Sequence, residues 1–417
     1  MLSPALRGVE EDVEENALSE ATAYPLSGIT VVDLGQIYNG AYATFLMAMA
    51  GADVVKIEPP GGEPLRRRAE TGTGALPFAM LNSNKRKIVL DLKTESGCEL
   101  LRRMAAEADV LLENFSPATM GDLGLGAESL MAANPRLIYA SGSGYGRSGP
   151  YRDNLAMDLS VQAISGVMSI TGQPGQPPVR SGATLCDFLG GIHLYGAVMT
   201  ALYERERTGK GRLVEVSMQE AVYSSLASGL GMMQKLGGAV PPRVGNRHAG
   251  LAIAPYNVYE ATDGHVAVLC VVERHWPKLL ACMGREDLLD DPRFADNKTR
   301  VAHVDEVDAI VGAWVAGLGK EEVFEQVRRH GIPSAPVKDL TEVWVDPHMH
   351  ERGMLEWIDH PDYGRIVVQR SPLRYEGVPQ MPLQPSRALG ADTAEVLAGW
   401  LGLAEDEIAA LEQDGVI

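Results

Sequence analysis

Apolar and polar positions repeat along this chain with two periods, near 2 and near 3.6 residues, and the changes between them mark its elements. An apolar run at Ile29–Leu34 is followed by a loop, Gly35–Gly40, a helical pattern from Ala41 to about Ala50, and a second run, Asp53–Glu58. That order predicts a βαβ unit and hence a parallel sheet. A short strand at Lys87–Leu92, a helix after Thr94, and strands at Asp109–Glu113 and Arg136–Ser141 continue the alternation. The first half is predicted to be α/β, a doubly wound, mostly parallel, Rossmann-like sheet. Phe188 to Arg207 has helical spacing and stops at Thr208-Gly-Lys-Gly211; a strand, Leu213–Ser217, and a helix from Met218 follow.

The pattern weakens over Gly237–Asn246, a Gly/Pro-rich stretch that reads as a linker or crossover. Beyond it, a strand at His265–Val272 and helices at His275–Met283, Val304–Leu318 and Lys320–His330 predict a smaller α+β unit. The tail mixes short strands with a late helix, Asp392–Leu401. The expected organisation is an acidic extension over 1–24, a large α/β domain over 25–225, and a linker over 226–251. A small α+β domain over 252–338 and a segment over 339–417 that packs back on the large domain complete it.

With 417 residues, 45% hydrophobic and 22% charged, the chain can bury more than one core. A net charge of -18 argues against a nucleic-acid binder, which needs a concentrated basic surface. Cys98, Cys186, Cys270 and Cys282 lie far apart with no CxxC pair, so neither a zinc site nor a disulfide framework is indicated. The acidic run Glu10–Glu15 is unlike a leader, and no apolar run of bilayer length is read in the sequence. A cytoplasmic protein with no membrane partner is the expectation.

Asp187 is the most informative acid. It sits among small and apolar residues at the head of the Phe188–Arg207 pattern, which predicts an N-cap position. An acid there either caps the helix or serves as a carboxylate nucleophile kept ionised by the helix dipole, and both roles are compatible. Gly190-Gly191 beside it leave room for another backbone or a substrate.

Other motifs carry less. Ser141–Gly149 and Gly35–Gly40 lack a GxGxxG arrangement leading into a helix, although Glu58 ends the second strand where a ribose-binding acid would stand. The basic runs Arg66-Arg67-Arg68 and Lys85-Arg86-Lys87 are solvated faces or phosphate sites. His348, His350 and His360 fit no standard metal spacing, so no metal is expected. Cys186 reads as buried filler, His193 as a core residue of an apolar helix, and no GxSxG elbow is present.

Several segments in order carry a resemblance: Val31-Val-Asp-Leu with Gly40-Ala-Tyr-Ala-Thr, Gly51-Ala-Asp-Val-Val-Lys-Ile-Glu-Pro59, Asn84-Lys-Arg-Lys-Ile-Val-Leu-Asp-Leu-Lys93, Asp109-Val-Leu-Leu-Glu-Asn-Phe115, Asp158 to Gly172, Asp187, Thr208-Gly-Lys-Gly211, and Gly331-Ile-Pro-Ser-Ala-Pro-Val337. From about Leu26 to Gly415 the chain resembles the class III CoA-transferases of the CaiB/BaiF type. That family includes formyl-CoA:oxalate and carnitine-type enzymes and the related α-methylacyl-CoA racemases.

The resemblance implies an acyl-CoA:carboxylate CoA-transferase in which Asp187 forms aspartyl-anhydride and aspartyl-CoA thioester intermediates. It implies coenzyme A thioesters as substrates, no tightly bound cofactor, and an interlocked homodimer. Leu90, Lys93, Asn114 and Phe115 fall where the family contacts CoA, with Arg66 and Arg67 as candidate phosphate partners. Tyr38, at the place of an active-site glutamine, and Asn39 are candidates to polarise an acyl carbonyl. Asp158 aligns with the acid that follows a racemase histidine, and Met157 stands at the histidine's place. Arg180, Arg147, Arg243 and Arg247 are candidates to hold a second carboxylate, which favours dicarboxylates such as succinate. An epimerase with another base, a nucleotide-dependent oxidoreductase and a non-catalytic CoA-binding protein remain open.

Overall fold

Strand β1 (Thr30–Asp33) is central in a six-stranded sheet with β2 (Asp53–Glu58), β3 (Arg86–Val89), β4 (Val110–Glu113), β5 (Ile138–Ser143) and β6 (Leu213–Ser217). The computed structural model describes residues 24–68, 75–238 and 243–417. Every pairing in the sheet is parallel and the order is β3-β2-β1-β4-β5-β6. The chain therefore winds outward from β1 to β3, returns, and winds outward again from β4. The reversal between β1 and β4 opens a crevice at the carboxyl ends of the strands, where such sheets bind ligands.

Both faces of the sheet are covered, which explains the near-continuous apolar strands. Val31, Val54, Val110, Leu112 and Ile138 meet the helices Asn39–Met49 and Leu185–Thr208 on one face. Val32, Val55, Ile88, Leu111 and Tyr139 face the other way, toward helices Glu95–Glu107, Ala127–Ala133 and Thr393–Leu401. The Leu185–Thr208 helix is long and apolar enough to cross a membrane by length and composition, contrary to the reading of the bare sequence. One side of it packs into this core, through Leu194, Val198, Ala201 and Leu202.

The chain forms two compact units. One holds the described residues up to Val161, Thr184–Val222 and Pro347–Ile417; the other holds Gln162–Ala183 and Tyr223–Asp346. Within the second, β7 (Tyr256–Ala261), β8 (Gly264–Leu269) and β9 (Ser334–Pro336) make an antiparallel sheet over a core of Trp276, Leu279, Val307, Val311, Val323 and Val327. In the first, β10 (Leu355–His360) and β11 (Gly364–Gln369) pair as an antiparallel hairpin.

Some expectations need correction. The stretch expected as a linker holds a helix, Ala227–Leu236, whose small residues and glycines masked its period. Strand β7 went unread because Tyr256–Ala261 buries only part of one face. His193 is exposed rather than in the core, its Nδ1 2.8 Å from the Leu189 carbonyl oxygen. His348 and His350 need no correction and lie on a short helix, Pro347–Glu351. The acidic extension over 1–24 falls, apart from Tyr24, outside the described residues.

Candidate active site

Asp187 is not an N-cap. The helix starts at Leu185, one turn earlier than its apolar spacing predicted, and Thr184 at the cap makes no side-chain bond. The missing acceptor comes from 29 residues upstream: Asp158 Oδ1 receives the N–H groups of Cys186 at 2.8 Å and Asp187 at 3.3 Å. Asp158 thus does the capping that Asp187 was expected to do. The Asp187 side chain, 8% exposed, is released from that task.

Burial disfavours the Asp187 anion most, and the neighbouring Asp158 charge adds to it, so its pKa is pushed up to about 7. The dipole of the helix does not keep it in the ordinary carboxylate range, because burial, and after it the Asp158 charge at the helix terminus, outweigh it. Cys186 is fully buried, and burial followed by the charges of Asp158 and Asp187 pushes its thiol up to about 12. It is no thiolate nucleophile near neutral pH.

Gly190 and Gly142 make room for Asn39. A Cβ at Gly190 would lie 2.2 Å from Asn39 Nδ2, and one at Gly142 would lie 2.5 Å from Asn39 Oδ1. The side chain so admitted is buried and donates from Nδ2 to the Asp187 carbonyl oxygen at 3.3 Å. Its Oδ1 has no partner among the described residues. At Gly190-Gly191 the approaching group is therefore Asn39, its side chain against one glycine and its carbonyl oxygen 2.7 Å from the Cβ position of the other.

A cleft of about 420 Å³ opens over Asp187 at the carboxyl ends of β1, β4 and β5. Gln36, Ile37 and Asn39 line it after β1, Asn114, Phe115 and Ser116 after β4, and Ser143, Gly144 and Tyr145 along β5 and its loop. Arg152, Asn154, Met157 and Met218 are also in the wall, which contains no histidine among the described residues. Gln36, Ile37, Asn154 and Met218 were not singled out from sequence. The available signal was their place in or near segments that follow strands of a doubly wound sheet.

The other candidates divide. Asn114 and Phe115 line the cleft; the Asn114 amide also receives the Gln36 N–H at 2.7 Å and donates to the Gln36 carbonyl at 3.0 Å. Tyr38 stacks on Phe188 with ring centroids 5.8 Å apart, and burial holds its phenol above the ordinary range, with Arg68 opposing and Asp187 adding. Lys93 is exposed, whereas Leu90 is 1% exposed and packed inside the core. Arg67 bonds the Gly62 carbonyl at 2.9 Å.

Arg66 is committed to Glu58, with Nε to Oε2 at 2.8 Å and Nη2 to Oε1 at 2.7 Å, while its guanidinium lies 4.2 Å from the Phe78 ring centroid. That pair also takes Glu58 out of any ribose-binding role. The run Lys85-Arg86-Lys87 is no phosphate-binding loop: Lys85 and Lys87 are buried and Arg86 pairs with Asp53. Arg180 and Arg247 belong to the second unit, where Arg247 pairs with Asp305 at 2.6 Å and Asp308 at 2.7 Å. Arg243 there bonds the Gln176 carbonyl at 2.9 Å and the Ser169 carbonyl at 3.1 Å.

The family model described as CoA-transferase family III matches residues 26–393. The chain is 36% identical to a formyl-CoA:oxalate CoA-transferase of Streptomyces avermitilis, over 94% of this chain and 99% of that one. It is 35% identical to a succinate–glutarate CoA-transferase of Agrobacterium fabrum, over 90% and 95%. A CAIB/BAIF family protein from Brucella suis superposes with a TM-score of 0.79 at 31% identity, covering 91% of this chain and all of that one.

Proposed function

Because the chain belongs to CoA-transferase family III, a class of enzymes that use CoA thioesters as substrates, we propose that it passes CoA from a donor acyl-CoA to an acceptor carboxylic acid with Asp187 as covalent nucleophile. The observation that carries this reading is a buried carboxylate, relieved of capping by Asp158 and facing a cleft at the sheet's switch point.

An Asp187 oxygen attacks the thioester carbonyl; a C–O bond forms, the C–S bond breaks, and CoA leaves as thiolate. The thiolate then attacks the Asp187 side-chain carbonyl of the mixed anhydride, forming an aspartyl thioester and releasing the donor acid. An acceptor carboxylate attacks that thioester, the thiolate leaves again, and its return to the acceptor's carbonyl gives the new acyl-CoA and free Asp187. No proton is consumed. A carboxylate suits the task because its anhydride stays reactive enough for CoA to pass between acids without ATP. Low solvation of the Asp187 anion favours its attack once it is ionised.

Asn114, Phe115 and Lys93 are proposed as CoA contacts and Tyr38 and Asn39 as neighbours of the acyl carbonyl. Succinyl-CoA is the first donor to try, in keeping with the succinate–glutarate relative. A homodimer is proposed as well. It is supported by apolar side chains left in the open on the Leu185–Thr208 helix, such as Ile192 and Tyr203, and by the Ala227–Leu236 helix, none of whose residues is buried. A racemase reading has less support, since Met157 rather than a histidine lines the cleft.

The test is mass spectrometry after incubation with a panel of acyl-CoAs and hydroxylamine. A hydroxamate on Asp187, lost in Asp187→Ala, is the expected result. An unmodified Asp187 with every donor, in protein that binds CoA, overturns it.

A further inference from the structure

The turn that joins β1 to the Asn39–Met49 helix has its backbone gripped by side chains from four other places in the chain. The Gly35 N–H donates to Asp33 Oδ1 at 2.8 Å, and the Gly35 carbonyl accepts from Lys56 Nζ. The Gln36 N–H and carbonyl are both held by the Asn114 amide, and the Ile37 N–H donates to Glu63 Oε2 at 3.3 Å. Five successive polar groups of a turn beside a cleft are thus bonded to side chains instead of water.

The gripping groups are themselves fixed. Asp33, Lys56 and Glu63 are each at most 1% exposed. Asp33 Oδ2 receives Lys85 Nζ at 2.9 Å and Thr44 Oγ1 at 2.8 Å. Glu63 Oε2 also receives the Leu65 N–H at 2.9 Å, and the Glu63 N–H donates to Glu58 Oε2 at 3.1 Å. Burying so many charges is unfavourable unless each finds a partner, and Glu63 Oε1 has none among the described residues, so the arrangement is an expensive way merely to close a turn.

What it secures is a strained backbone. Ile37 sits at φ +59, a region that a β-branched residue avoids. Such a conformation persists only where its surroundings over-determine it, and strain of this kind concentrates at active sites. Two residues further on, Asn39 donates to the Asp187 carbonyl. The grip on the turn therefore passes, through one rigid corner, to the nucleophile's own residue.

We propose that Glu63, Lys56 and Asp33 are positioning residues for CoA transfer: they lock the Gly35–Ile37 turn so that Asn39 holds Asp187 in register with the cleft. The inference rests on Asp187 being the nucleophile. Its mechanism is geometric, since catalysis by a covalent nucleophile falls steeply with small displacements.

Two variants of Glu63 separate reach from charge. Glu63→Asp keeps the charge but withdraws the carboxylate by one methylene; Glu63→Gln keeps the length and an acceptor oxygen but loses the charge. The readout is the rate at which Asp187 is converted to the hydroxamate by an acyl-CoA that labels the wild-type protein, together with the KM for that acyl-CoA. Glu63→Asp is expected to slow labelling by about tenfold or more with KM changed less than about threefold, while Glu63→Gln stays within about threefold of wild type.

Labelling of Glu63→Asp at the wild-type rate overturns the inference, as does a Glu63→Gln protein slowed as much as Glu63→Asp. Should Glu63→Asp fail to fold, Lys56→Met, which frees the Gly35 carbonyl, is read in the same way. Absence of label in the wild-type protein would instead refute the role given to Asp187.

Discussion

Replacing Asp158 with asparagine should make Asp187 reactive at lower pH. The carboxyl of Asp187 stands at about 7 instead of 3.8, which corresponds to roughly 4 kcal/mol set against its anion. Burial is the larger cause and the Asp158 charge the smaller. Asparagine retains an oxygen to receive the N–H groups of Cys186 and Asp187, so the helix stays capped while the charge is lost. Less than half of the penalty, under roughly 2 kcal/mol, is then relieved, which lowers the midpoint by at most about 1.5 pH units.

The sign follows from the chemistry. Attack needs the anion, so the single-turnover rate of Asp187 labelling rises with pH through its pKa and levels off above it. The wild-type midpoint is expected near 7, and that of Asp158→Asn below it, making the variant faster than wild type at pH 6 and no faster at pH 8.5. The assay is hydroxamate formation at Asp187 between pH 5 and 9 at saturating acyl-CoA, with kcat/KM profiles reporting the free enzyme. A variant midpoint at or above that of wild type refutes the argument, and so does a wild-type rate that is flat across the range.

Asp187→Asn should be more stable than wild type at high pH, as a reactive group held in an unfavourable state often costs stability. The folded-state pKa is raised, so between about 4 and 7 the folded protein keeps a proton the unfolded chain has released. The cost of Asp187 grows as pH rises through that window and is complete above it. The variant's advantage should reach up to roughly 4 kcal/mol at pH 8 and vanish near pH 4, measured as Tm against pH; a gap that does not grow with pH contradicts this. Arg66→Met removes the guanidinium that pairs with the buried Glu58, leaves its carboxylate only the Glu63 N–H, and should destabilise the protein by about 3–5 kcal/mol in urea unfolding. Its KM for acyl-CoA should stay close to wild type, whereas a many-fold rise in KM with stability intact would return Arg66 to the CoA phosphates.

The sequence by itself determined the sheet and pointed to the acid. Strands of four to six residues with both faces apolar, separated by helical spacing, allow few arrangements other than a doubly wound parallel sheet, and β2, β6 and helix His275–Met283 begin and end where the pattern changes. Asp187 stands out as a candidate because a carboxylate in an apolar, glycine-bearing helix start is conspicuous. Its neighbours in space were not. The acceptor that caps its helix lies 29 residues away, and Asn39, which holds its carbonyl, lies 148 away.

Charged residues misled the local reading for the same reason. Lys85 and Lys87 look like a solvated run, yet Lys85 is drawn inside by Asp33, 52 residues distant, while Lys87 finds Asn82 and the Phe78 ring. Hydrophobic period is a property of adjacent residues, so a sequence displays it. The partner of a buried charge, and with it the protonation of Asp187, depends on which distant segments the fold brings within a hydrogen bond, and that was decided only when the sheet had closed around them.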